Sequence, residues 1–227
     1  MIDTHFATPK GARILAMALI AVAPGLVAAP AAAAVYGMSW TGQFAGFTLE
    51  GRFAYDAAPA DGVVRAPDFT DFDWAVFDGD GALVERFEDN HLADGFNANF
   101  DTATGALLQS GRWDEGDGIS IGDARGEGLN LWSIGFPGDG PDFNPHLHLT
   151  DWANEYPQYP RQFGGPTSRH IDGAFFLRTA AQITGDPDAG DALGQPIAVA
   201  PIPLPATALL LAAALGLMAG LRRRIAA

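Results

Sequence analysis

Phe47, Leu49, Gly51, Phe53 and Tyr55 share one parity of residues 44–55, and Thr48, Glu50 and Arg52 take the other. A period of two puts the apolar set on one side of an extended chain, so the segment predicts a half-buried strand. Phe72, Trp74 and Val76 alternate with Asp71 and Asp73 and predict a second strand. The Asp78-Gly-Asp-Gly81 step then turns the chain, because Asp-Gly tolerates positive φ, and residues 82–87 form its hairpin partner. Further strands are predicted at 96–100, 107–113, 119–121, 129–136, 146–152 and 172–178, with the apolar run 129–136 fit for a central position. Residues 57–68 hold two prolines and an Asp-Gly step and read as a loop. No amphipathic helix interrupts this series, and no repeat of fixed period points to a propeller or β-helix. The pattern predicts an all-β fold, an antiparallel β-sandwich or jelly roll of eight to nine strands with phenylalanines between the sheets.

Both ends of the chain break this pattern. Residues 204–221 carry no charge, and Ala, Leu, Gly and Met occupy every side of the run. As a helix it would span about 27 Å, near the lower limit for crossing a hydrocarbon core. One C-terminal transmembrane helix is therefore predicted, starting after Pro203 and Pro205, which do not fit a helix interior. Arg222, Arg223 and Arg224 would hold its end in the cytoplasm by the positive-inside bias. At the other end Lys10 and Arg13 precede the apolar run 14–27 and an alanine-rich patch, which reads as a secretory signal peptide cut between Ala34 and Val35. From 180 to 201 the chain turns to Ala, Gly, Asp and Pro without period and reads as a flexible linker. The expected organisation is a signal peptide at 1–34, a β-domain at 35–179, the linker at 180–201 and a C-terminal segment at 202–227.

Ile202, Pro203, Leu204, Pro205 and Ala206, followed by a short apolar span and an arginine cluster, resemble the bacterial PEP-CTERM sorting signals in their VPLPA form. Ile202 stands in place of the leading valine, and the resemblance is confined to residues 202–227. It implies recognition by an exosortase-like membrane transpeptidase near Pro203, Leu204 and Pro205, removal of the span, and transfer to a surface or matrix anchor. The segment 46–56 also looks like the opening strand of small β-domains that precede such signals. Domains in front of these signals vary widely, so the tail predicts destination and leaves activity open.

Charge narrows the partners. Between the two targeting segments lie eight basic and 26 acidic residues, a formal −18. Such a surface repels nucleic acid and anionic headgroups and suits divalent cations or solubility outside the cell. With no cysteines, an exported domain must rely on its apolar core, helped at most by ions.

Several residue sets suggest chemistry. His146 and His148, two apart on a predicted strand, share a face and with His170 suit a metal through imidazole nitrogens. Only Asp151 and Glu155 follow as acids, at a spacing unlike the cupin pattern, and the alternative is a polar face opposite Leu147 and Leu149. Gly118, Ser120 and Gly122 match the letters of a nucleophile elbow, but isoleucines flank the serine and no helix follows. Asp78, Asp80, Asp101, Asp114, Asp117, Asp139, Asp142, Asp186, Asp188 and Asp191 lie in Gly-rich turns, where aspartate is the commonest structural choice and calcium a candidate ligand; no cofactor is otherwise expected. Trp152, Tyr156 and Tyr159 offer aromatic faces to sugars or cover a core edge. The resulting expectation is a non-enzymatic cell-surface or matrix protein of structural or adhesive type, with an extracellular polysaccharide as partner. The alternatives are a secreted metal-dependent binder or hydrolase using His146 and His148, and an unprocessed single-span membrane protein.

Overall fold

The computed structural model describes residues 34–135, 145–157, 167–189 and 191–203. Its strands are β1 (Ala34–Thr41), β2 (Thr48–Tyr55), β3 (Val63–Val64), β4 (Phe69–Phe77), β5 (Leu83–Phe87), β6 (Phe100–Asp101) and β7 (Ala106–Leu107). They continue with β8 (Ser120–Gly122), β9 (Leu129–Ile134), β10 (His146–Asp151), β11 (Tyr156–Pro157), β12 (Thr167–Ser168), β13 (His170–Phe175) and β14 (Ala198–Pro201). A five-residue helix, α1 (Ala180–Thr184), is the one α-helix among the described residues. All strand pairings there are antiparallel, in sheets ordered β14-β1-β2-β4-β5, β13-β10-β9-β8, β3-β6-β7 and β11-β12. The protein is all-β.

The alternation explains which side faces inward. Leu49, Phe53 and Tyr55 of β2 and Phe72, Trp74 and Val76 of β4 join Leu129, Leu131, Leu147 and Leu149 in one buried cluster. Each such side chain contributes roughly 1.5–3 kcal/mol when fully removed from water. Phe53 is central: its ring stacks on Tyr36 at 5.3 Å and Phe72 at 5.8 Å, and meets the edges of Phe69 and Phe100. Gly51 faces Trp74 across the sheet, and a Cβ there would lie 2.5 Å from the Asp73 carbonyl oxygen.

Two buried polar side chains join separate parts of the sheets. Asn90 accepts hydrogen bonds from Trp74 Nε1 (2.9 Å) and Gly122 N (2.8 Å) on Oδ1, and its Nδ2 donates to the Gly122 carbonyl (3.0 Å). Asp172 of β13 accepts from the backbone N–H groups of Phe44, Ala45, Phe47 and Gly173 at 2.8–3.1 Å. The loop between β1 and β2 is thereby pinned to β13. A Cβ on Gly42 would sit 2.0 Å from that carboxylate, which explains the glycine.

Departures from the sequence reading are informative. β1 was not foreseen; it begins at Ala34, and Ala34 and Val35 pair with Tyr55 and Ala54. The expected strand at 107–113 shrinks to β7, because Gly111 and Gly118 let the chain fold back tightly beyond it. The stretch 180–201, expected as a flexible linker, instead carries ordered elements. α1 has a reciprocal cap between Thr179 and Gln182 and stops at Gly185, whose φ of 68° suits glycine. Ile197 is buried, donates its N–H to Gln109 Oε1 at 2.9 Å and accepts from Gln109 Nε2 at 3.3 Å. β14 then pairs with β1, and beyond it Ile202 N donates to the Val35 carbonyl at 2.8 Å. Leu204, Pro205, Ala206, the apolar run 207–221 and Arg222 to Arg224 lie outside the described residues. Among those described, no helix is long and apolar enough to cross a membrane.

Burial pushes the Asp172 carboxyl up to about 6, against the opposing pull of its four N–H donors. The native state then keeps a proton that the unfolded chain releases near pH 4, so stability falls as pH rises from about 4 to 6. Denaturant titrations are expected to show a loss of about 3 kcal/mol from this group across that window. The contribution of this group to the slope is absent in Asp172→Asn, which is also less stable at every pH because its amide N–H2 faces backbone donors.

Candidate functional site

The four-stranded sheet turns Leu129, Leu131, Leu147 and Leu149 to the core, and alternation sends Trp132, His146, His148 and Thr150 to its second face. Register sets His148 beside Trp132 and His146 beside Phe175. The His148 ring lies on Trp132 at 4.6 Å with planes 15° apart, and the His146 ring lies on Phe175 at 4.5 Å and 21°. The two imidazoles are 4.6 Å apart, and His170 is 4.9 Å from His148. Trp113 stands edge-on to Trp132 at 5.4 Å. The exposed Arg125 guanidinium covers both indoles, 4.0 Å from the Trp113 centroid and 4.4 Å from that of Trp132.

Polar groups beneath the rings are tied to the sheet. Trp132 Nε1 donates to Thr150 Oγ1 (3.2 Å), whose hydroxyl donates to the Asn130 carbonyl (3.3 Å). Asn130 Nδ2 donates to the carbonyls of Ile121 (3.0 Å) and Asp123 (2.8 Å), while its buried Oδ1 has no partner among the described residues. Removal from water, then His146, His170 and Arg125, hold the His148 pKa well below its ordinary value near 6.5. Crowding out of water and Arg125 also lower that of the more exposed His170. The face thus combines three imidazoles, of which His148 and His170 resist protonation, with indoles that carry the guanidiniums of Arg125 and Arg112. It is suited to stacking and to neutral nitrogen donors, and poorly suited to accepting a proton.

The sequence-predicted pair, His146 and His148, does share one face, joined there by His170. The His146–His148 pair is tilted and the His148–His170 pair edge-on, with planes 59° and 61° apart, while imidazole binds a metal along a lone pair in the ring plane. Among the described residues, the three-carboxylate or imidazole set whose ligand atoms lie within 4.8 Å of one another is Asp71, Asp73 and Asp89. Arg52 already bridges that set, 3.3 Å from Asp71 and 2.8 Å from Asp73. Burial and Asp73 raise the Asp71 pKa, while for Asp73 burial is outweighed by the Asp89 N–H and Arg52.

Other candidates take structural places. Ser120 is buried within β8, where its Oγ accepts from Asn130 Nδ2 at 3.3 Å. Asp151 accepts from the N–H groups of Ala153 and Asn154, from Asn154 Nδ2 and from the Tyr156 hydroxyl, so it caps its own turn. Tyr156 packs edge-on against Phe47, and burial followed by Asp151 pushes its hydroxyl up to about 12. Asp78 and Asp101 likewise accept from N–H groups two residues on, and Asp114 pairs with Arg112. Asp139, Asp142 and Tyr159 lie outside the described residues. Trp113, Trp132 and Arg125 were missed because their contacts are cross-strand or turn-to-strand and leave no local spacing signal.

Comparison with protein-family models, curated protein sequences and solved structures returned no match. The reading of this face rests on its own geometry.

A histidine depressed in the folded state leaves the unfolded chain to bind the proton first, so stability is lost as pH falls below about 6.5. His148→Phe keeps a ring on Trp132 and removes the titration. Between pH 7 and 5 it is expected to lose less stability than the wild type in urea titrations.

Proposed function

We propose that this is an exported bacterial β-sandwich protein of structural or adhesive type, sorted to the cell surface or extracellular matrix by an exosortase-like transpeptidase. The observation that carries this reading is the order of Ile202, Pro203, Leu204, Pro205 and Ala206, the apolar span and Arg222 to Arg224. It is supported by where the domain ends: β14 finishes at Pro201, and Ile202 is held beside Val35. A signal-peptide cut between Ala34 and Val35 would leave the mature chain starting in β1, next to the sorting motif. The partner class is an extracellular polysaccharide, to which the exposed Arg125, held over Trp113, offers a cation.

Intact mass of the chain recovered from its native host tests the proposal. The expected species starts near Val35 and ends near Pro205, alone or with an added anchor. Replacing Pro203 and Pro205 together with alanine should leave a species that keeps Arg222 to Arg224. Wild-type protein recovered with its arginines would instead favour an unprocessed single-span protein.

A metal-dependent binder at His146 and His148 is a second reading, favoured by three imidazoles within 5 Å ring spacings. It expects zinc to raise the melting temperature by several degrees, an effect lost in the His146→Ala, His148→Ala double variant. The adhesive reading expects no zinc-dependent shift.

A further inference from the structure

The turn after Gly111 folds back so closely that a Cβ on Gly118 would lie 1.8 Å from the Arg112 carbonyl oxygen. Folding that tight turns three backbone carbonyls inward, those of Trp113, Glu115 and Gly118. All three surround a single atom, Asn97 Nδ2, at 2.7, 2.8 and 3.3 Å. Asn99 Nδ2 meets two of the same carbonyls, Gly118 at 3.1 Å and Glu115 at 3.5 Å, and Asn97 Oδ1 at 2.9 Å. Both asparagine backbones are fixed. Asn97 exchanges N–H···O bonds with Ser120 at 2.7 and 2.8 Å, and the Asn99 carbonyl accepts from Leu108 at 2.8 Å. Asn99 is only 2% exposed.

An amide N–H2 has two hydrogens, so three carbonyls around Asn97 Nδ2 exceed its donors. The oxygen and nitrogen ends of an asparagine have the same shape, and exchanging them costs no space. With both amides turned over, five oxygens stand together: three carbonyls and two side-chain amides. The amide-to-carbonyl separations among them would be those now seen, 2.7–3.5 Å. Oxygens around a calcium ion at 2.3–2.6 Å stand about 2.7–3.7 Å from their neighbours, whether the shell is octahedral or pentagonal. Asp114, Glu115 and Asp117 lie on the same exposed turn, the first two paired with Arg112.

We propose that Asn97, Asn99 and the carbonyls of Trp113, Glu115 and Gly118 form a calcium site. Water would complete the shell on the exposed side of the turn. The ligands are neutral, so the affinity belongs to the weak range of extracellular modules, a Kd of about 0.1–1 mM. Magnesium fits poorly, since it demands shorter bonds and a strict octahedron. The proposal does not depend on the sorting reading.

The substitution Asn97→Asp separates an ion site from an amide that merely caps the turn. A carboxylate facing three carbonyls is repelled unless a cation lies between them. The full-length wild type and variant are compared by thermal unfolding and calorimetric titration in EDTA, in calcium and in magnesium at equal ionic strength. The expected result is a wild-type melting temperature that rises in calcium and not in magnesium. Asn97→Asp should be less stable than wild type in EDTA, be restored by calcium, and bind it at least tenfold more tightly. Asn99→Asp should behave alike. A wild type indifferent to calcium overturns the proposal. So does an Asn97→Asp chain that stays destabilised or unfolded in calcium, or a calcium midpoint that neither variant moves.

Discussion

A carboxylate removed from water, Asp172, joins the loop between β1 and β2 to the four-stranded sheet. Without it the buried N–H groups of Phe47 and Gly173 would lose their acceptor, each costing about 1–3 kcal/mol. Much else presupposes this contact. Gly42 is small because the carboxylate fills its space, and Gln43 adds a second tie through its N–H to the Gly173 carbonyl. With the loop held, Phe47 and Leu49 enter the same apolar cluster as Leu147 and Leu149. Asn90 does the corresponding work at the other flank, between Trp74 and Gly122. A chain without disulfides thus uses single buried polar side chains as cross-links.

The acidic exterior and the imidazole face obey opposite electrostatic rules. Outside, carboxylates in turns are solvated and mostly satisfied by neighbouring N–H groups, as at Asp78 and Asp101. On the second face of the four-stranded sheet, rings exclude water and charge is disfavoured, except on Arg125, whose guanidinium keeps one side open to solvent while the indoles hold the other. The domain therefore meets acid with two competing responses, one carboxyl that prefers its proton and imidazoles that refuse theirs.

β2 and β4 were legible because one parity is core and the other carries Arg52, Asp71 and Asp73. β1 was not, since only Met38 and Trp40 are buried and its start merges with the alanine-rich patch before it. β14 is held by backbone pairing, and its alanines and proline offer no alternation to read. The shared face of His146 and His148 followed from spacing alone. Their partners did not, because Trp132 and Phe175 come from neighbouring strands and were adjacent only once the register was known. The carbonyl cluster around Asn97 was equally silent: backbone oxygens carry no sequence signature, and the acids of that turn drew attention to side chains instead.

The pairing of β14 with β1 also has a mechanical side. A load applied at Ile202 would enter β14, which lies antiparallel to β1 with Pro201 opposite Tyr36 and Ala198 opposite Ser39. Pulled along its own axis, β14 strains its rungs together in shear. Pulled away from the sheet, it peels from the Pro201 end until it reaches Ile197, which is buried and gripped by Gln109. β14 would thus act as a graded strain relief, its short ladder yielding rung by rung beside Tyr36, which stacks on Phe53.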